Sequence, residues 1–162
     1  MPNKIYQATE AAITWLASGG TNILTLTSVA ASAGRQGALY DFGTASRASM
    51  FAWRAWVKFA TTPVVGEVIR IYWKSSDGTS PDNDDGTGDA AVSAEDKLKN
   101  LMHIGNIIVD EASTTPVFAA SGMVWAPHRY GSPVIWNATA DALSATAGDH
   151  GFSLIPVPPE VQ

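Results

Sequence analysis

The sequence contains no cysteine. This absence excludes a disulfide scaffold, a thiol nucleophile, a zinc–thiolate site and an iron–sulfur cluster. Long apolar runs are missing as well, since none approaches the roughly 18 residues that a membrane-spanning helix needs. Thr9 and Glu10 interrupt the stretch that would be apolar in a signal peptide. We therefore expect a chain that is made in the cytoplasm, is not cleaved and has no membrane partner.

Charge is also scarce. Only 15% of the 162 residues are charged, against about 25% in an average soluble protein, which indicates that part of the surface lies against another protein. Seven of the 15 acidic residues fall between positions 77 and 96, where no basic residue occurs, and the remainder carries eight acidic and ten basic residues. With a net charge of −5, the chain lacks the basic surface typical of nucleic-acid binding, so no direct nucleic-acid contact is expected.

Aromatic residues are plentiful, with six Trp, five Phe and four Tyr, and the length suits one domain over residues 1–162. Two segments alternate apolar and polar residues as half-buried strands do. In 51–59 the side chains of Phe51, Trp53, Ala55, Val57 and Phe59 share one face. In 67–74 the inward residues are Ile69, Ile71 and Trp73. The residues between the two segments, including Pro63 and Gly66, suit a hairpin-like connection.

Further strands are predicted at 22–29, 37–42, 103–109, 117–126, 132–137 and 152–157, and a short helix at 93–100 with Ser93 as its cap. This pattern predicts an all-β fold, an antiparallel β-sandwich of the jelly-roll type. Its predicted core contains Phe51, Trp53, Val57, Phe59, Ile69, Ile71 and Trp73. The Pro-rich tail, 156–162, is expected to leave the sheet, because proline lacks the backbone donor that a central strand needs.

A polar insertion occupies residues 75–92 and begins SSDGTSPDNDDGTGDA. No apolar residue anchors it between Asp77 and Asp89, and like charges repel, so we expect it to be mobile. The calcium-binding EF-hand spacing fails when counted from Asp82, because Gly86 falls at position five and Ser93 at position twelve. A looser calcium site remains the alternative, and its oxygen ligands would come from Asp82, Asp84, Asp85 and Asp89.

No catalytic pattern is present. His103, His128 and His150 lie in three separate segments and lack the spacing of a helical metal pair. No serine lies in a Gly-x-Ser-x-Gly turn, and no glycine-rich phosphate loop is found. We therefore expect no enzyme activity, no catalytic residues, no cofactor and no metal.

Basic and aromatic residues fill the outward positions of the two clearest strands. If these strands pair, the outward residues form one stripe on a single sheet. We interpret such a stripe as an interface, because Trp, Tyr and Arg are the residue types enriched where proteins bind each other. The alternatives are a solvated strand face and a second buried layer. The candidate interface consists of Arg54, Trp56, Lys58, Arg70, Tyr72 and Lys74.

Three segments of the C-terminal third carry a resemblance: 129–137 (RYGSPVIWN), 142–150 (ALSATAGDH) and 154–162 (LIPVPPEVQ). They are similar to segments of the jelly-roll head decoration (cement) proteins of tailed double-stranded DNA phages. The resemblance implies a non-enzymatic structural protein on the capsid exterior of the virion, binding the major capsid protein. It also implies self-association, as a homotrimer.

A carbohydrate-binding or receptor-binding module of a phage tail is the alternative function. Six tryptophans could supply flat surfaces on which sugar rings stack. Trp53 and Trp73 alternate with other inward residues, which favours the core for both. Trp125 and Trp136 remain open to either location.

Overall fold

The computed structural model describes residues 5–7, 10–45 and 48–161. It contains thirteen strands and two short 3-10 helices, Glu95–Leu98 and Ala147–Asp149. The strands are β1 (Ile5–Gln7), β2 (Ile13–Leu16), β3 (Asn22–Ile23), β4 (Ala33–Gln36), β5 (Tyr40–Asp41), β6 (Met50–Val57), β7 (Val68–Ser76), β8 (Ala90–Val92), β9 (Met102–Ile108), β10 (Phe118–Trp125), β11 (Tyr130–Asn137), β12 (Gly151–Pro156) and β13 (Pro159–Val161).

Two mainly antiparallel sheets form a sandwich. The first sheet has the order β10-β6-β12-β2-β3, and the second has the order β8-β4-β11-β7-β9, with β5 also pairing with β11. Setting the terminal strands and the short β3, β5 and β8 aside leaves eight strands. The first sheet takes the first, eighth, third and sixth of these, and the second takes the second, seventh, fourth and fifth. This is the strand order of a jelly roll, so the predicted fold class is confirmed.

The two alternating segments become β6 and β7, and all seven predicted core residues are buried. Their side chains meet apolar residues that the alternation did not single out, such as Trp15 and Phe152. Trp15 lies 5.9 Å from Trp73 between ring centroids, and Trp53 stacks on Phe152 at 6.2 Å. Aromatic pairs from both sheets therefore fill the space between them.

The shorter elements agree less well with the predictions. Strands at 103–109, 117–126, 132–137 and 152–157 are confirmed within two residues, whereas 22–29 and 37–42 shrink to two-residue strands. The helix is only one 3-10 turn, and Ser93 does not cap it: its hydroxyl donates to Asp85 Oδ1 at 2.7 Å. The chain leaves the first sheet after Pro156, as predicted, and β13 pairs with β1 in a separate ribbon.

Candidate interaction surface

The predicted interface stripe is divided between opposite sides of the molecule. β6 belongs to the first sheet and β7 to the second, so they do not form a hairpin. Arg54 and Trp56 point outward from the first sheet, whereas Arg70 and Tyr72 point outward from the second. The prediction of one continuous stripe is wrong because the inward side chains of β6 and β7 face each other across the same core. Strands that share a core in this way pack face to face instead of pairing edge to edge.

The outer face of the second sheet is covered by the chain that connects β7 to β9. Leu98 and Leu101 of this connection bury themselves against Val134 and Trp136 of β11, and Tyr72 packs against the same cluster. These residues form a second apolar layer outside the sandwich. This half of the predicted stripe is therefore partly covered by the chain's own connection between β7 and β9, as in the alternative of a second buried layer.

Two of the predicted interface residues have partners within the chain on this side of the molecule. Arg70 makes an ion pair of 2.8 Å with Glu95 of the 3-10 turn. Tyr72 meets the ring of His103 edge-on at 5.2 Å between centroids. Arg70 therefore holds the connection on its own sheet, whereas Tyr72 contacts the neighbouring strand β9.

Lys74 is fully buried, which contradicts its predicted place on an exposed interface. Its Nζ donates a hydrogen bond of 3.0 Å to the carbonyl oxygen of Gly86 in the insertion. Burial lowers the pKa of Lys74 to about 8, although Asp85 and Asp82 act in the opposite direction. The alternation placed this residue on the outward face correctly, but the insertion covers that face.

Stability should therefore rise with pH between about 8 and 10.5. In this range the unfolded chain keeps a proton on Lys74 that the folded chain has released, so raising the pH favours the folded state. The full rise is on the order of 3 kcal/mol. Urea unfolding at a series of pH values measures it. Lys74→Met should abolish the rise, and the exposed control Lys99→Met should keep it. If stability rose equally with pH in wild type and in Lys74→Met, the rise would not come from Lys74.

The insertion is held by polar contacts in its second half, which the prediction of a mobile loop did not anticipate. Gln36 of β4 is fully buried, and its Nε2 lies within 2.8–3.2 Å of three carbonyl oxygens, those of residues 85, 86 and 88. Its Oε1 accepts a hydrogen bond of 2.9 Å from the buried Asn83. The prediction considered only apolar anchors, whereas here the buried side-chain amide of Gln36 on β4 anchors the insertion through hydrogen bonds.

The four aspartates proposed as calcium ligands have separate partners. Asp89 pairs with Arg35 at 2.8 Å, Asp85 accepts from Ser93, and Asp82 accepts from the backbone of Ser75. The Asp84 carboxylate lies 3.8 Å from Lys97 Nζ. Within residues 5–7, 10–45 and 48–161, no group of three His, Asp or Glu side chains is arranged to hold a metal ion.

The outer face of the first sheet has a different character. Strand register places Ser121, Arg54, Ser153 and Thr14 in one row across four strands. The neighbouring rows contain small or apolar residues, namely Ala119, Trp56 and Gly151 on one side and Met123, Ala52 and Ile155 on the other. Arg54 is the single charged residue in these three rows. This surface is broad, poor in charge and made mostly of small side chains.

Arg54 and Trp56 form a pair at the centre of this face. The Arg54 guanidinium lies 5.1 Å from the centroid of the Trp56 ring, within cation–π range. The ring lies over Gly151, where an added Cβ atom would come within 2.3 Å of the ring and 2.6 Å of the Leu16 side chain. A side chain at 151 would have to displace the indole, which rests on the backbone there. The result is a half-buried aromatic anchor beside one cation.

The histidines have structural surroundings. His150 is buried, its Nδ1 accepts from the backbone N–H of Lys58, and its Nε2 lies 2.8 Å from the carbonyl oxygen of Ser144. Burial lowers the pKa of His150 below its usual value. His103 bonds Asn106 at 2.9 Å, and His128 is exposed. The structure does not bring the three together.

The tryptophans divide clearly between core and surface. Trp15, Trp53, Trp73 and Trp136 are buried, while Trp125 is 56% exposed and Trp56 is half-buried.

A cavity of about 550 Å³ lies on the side of the second sheet, lined by Tyr72, His103, Glu95 and Asp96 among others. Both of these carboxylates are already engaged, Glu95 with Arg70 and Asp96 with Lys99.

No helix in the described ranges is long and apolar enough to cross a membrane. The chain matches no protein-family model and no curated protein.

Proposed function

We propose that this chain is a structural virion protein of a tailed phage that binds the assembled capsid as a decoration protein and catalyses nothing. Its partners are the major capsid protein and other copies of itself, and the resemblance to cement proteins implies that these copies form a trimer. The observation that carries the proposal is the centre of the outer face of the first sheet, where three rows of mostly small residues hold one cation, Arg54, and one half-buried tryptophan, Trp56. Such a surface suits contact with another protein, since interface centres are depleted in charge and enriched in Trp and Arg.

Binding through this face also suits a lattice. A four-stranded surface made mostly of small side chains lets a partner approach closely over a wide area, with Trp56 supplying apolar contact. Arg54 would meet an acidic group of the capsid, and a charge-assisted hydrogen bond there would fix the orientation. When several copies act together, weak contacts at each site add up through avidity.

The test is cosedimentation of the purified protein with undecorated heads of a tailed phage. Trp56→Ala and Arg54→Ala should each weaken binding by about tenfold or more, because anchors of these types dominate interface energies. Arg70→Ala is the matched control for Arg54→Ala: it lies on the opposite sheet, pairs with Glu95 and should bind as wild type does. Equal losses for both arginine variants, or no loss for Trp56→Ala, would contradict this assignment of the face.

A carbohydrate-binding module is the second candidate, favoured by the 56% exposure of Trp125. A glycan array separates the two functions. Binding of a defined glycan that Trp125→Ala abolishes, together with no binding to heads, would replace the decoration proposal.

A further inference from the structure

The two sides of the sandwich protect their edge strands to very different degrees. At one side the sheets end in β3 and β8, which have two and three residues. At the other side they end in β10 and β9, which have eight and seven residues. An edge strand exposes unpaired backbone donors and acceptors, and proteins protect such edges with short strands, charges or proline. The first side follows this rule and the second does not.

The long edges also lack protective residues. Neither β9 (MHIGNII) nor β10 (FAASGMVW) contains Asp, Glu, Lys, Arg or Pro. Nine large apolar side chains are exposed in the described ranges, and five of them lie on these strands or directly before β10. The five are Met102, Ile108, Val117, Met123 and Trp125, with exposures from 42% to 61%. Acidic residues occur only in the connecting segment, as Asp110 and Glu111.

The interior behind this edge brings the two strands close together. The Trp53 indole lies against Gly105 of β9 and Gly122 of β10, where added Cβ atoms would come within 2.7 and 3.0 Å of the ring. Two edge strands from different sheets therefore lie side by side over one buried side chain. They form a single continuous border, which we call the β9–β10 edge.

We infer that the β9–β10 edge is the surface through which copies of this chain join, by pairing edge strands of one copy with those of its neighbour. A second copy fits because both strands are free of charge. Like charges directly opposite each other destabilise paired strands. Neither edge strand carries a charge, so this repulsion does not arise whichever strand the second copy presents. Backbone hydrogen bonds supply the attraction, and the exposed apolar residues supply buried area. The inference rests on the self-association part of the proposed function and adds its location.

The experiment measures the mass of the protein in solution by sedimentation equilibrium over a range of concentrations. Wild type should be oligomeric, and Val117→Lys directly before β10 and Ile108→Lys on β9 should each raise the dissociation constant about tenfold or more. Val65→Lys is the matched control, since Val65 is 55% exposed in the connection between β6 and β7. It removes a similar side chain and adds the same charge, and it should associate as wild type does.

Hydrogen exchange provides a second measurement that needs no variant. Backbone amides of 102–108 and 118–125 should exchange more slowly as wild-type concentration rises, whereas those of the short edge strand 90–92 should not change. A monomer at all concentrations, or an oligomer unaffected by both edge variants, would overturn the inference. Head binding is scored separately by cosedimentation, so an unaffected oligomer that binds heads rejects the β9–β10 edge alone and leaves the proposed function intact.

Discussion

Replacing Trp53 by alanine is expected to lower the free energy of unfolding by about 3–5 kcal/mol. Trp53 is 4% exposed, stacks on Phe152 and fills the space between Gly105 and Gly122. The loss combines the transfer free energy of the removed indole with the cavity left behind, because neighbouring backbone strands cannot collapse into the space. Chemical denaturation with a fluorescence or circular dichroism readout measures it.

Two variants test this explanation. Trp125→Ala removes the same side chain from a site that is 56% exposed, so it should change stability by about 0.5 kcal/mol or less. Trp53→Phe should lower stability less than Trp53→Ala, because phenylalanine still fills most of the space and for a second reason. The indole Nε1 is buried without a hydrogen-bond partner in the described structure, and phenylalanine removes that unpaired donor. A loss for Trp53→Ala no larger than that for Trp125→Ala would show that the core assignment is wrong.

Gln36→Leu is expected to lower stability by about 2–4 kcal/mol. The substitution keeps a similar volume but removes the buried amide that bonds three carbonyl oxygens of the insertion and the amide of Asn83. The buried Asn83 amide would then lose its acceptor, and the carbonyl oxygens of residues 85 and 88 would lose their donor, whereas the Gly86 oxygen keeps Lys74. Denaturation measures the loss, and amide exchange of residues 82–88 should become faster at the same time.

Asn106→Leu is the control for that experiment. It also replaces a carboxamide by leucine, but at an exposed position whose bond is to His103. We expect a change within about 0.5 kcal/mol. If both variants were equally stable, the insertion would not depend on Gln36, and the original expectation of a mobile loop would return.

The clearest strands could be predicted because their pattern is local. A period of two places alternate side chains on opposite faces, so the sequence of β6 and β7 already separates Trp53 and Ile71 from Arg54 and Arg70. β4 was missed for the same reason. Its buried residues are Gly34 and Gln36, which have no apolar signal to detect. Short strands such as β8 contain too few residues for any period to be visible.

Composition, alternation and turn residues by themselves determined an all-β sandwich, its central core residues and the absence of cysteine chemistry. Only the tertiary structure decided which outward residues remain outward. Alternation assigns a side chain to a face of a strand, whereas the sheet that the strand joins and the segment that covers it depend on contacts between distant residues. Lys74 and Arg54 have the same local pattern, yet the insertion buries the first against Gly86 and the second stays exposed beside Trp56.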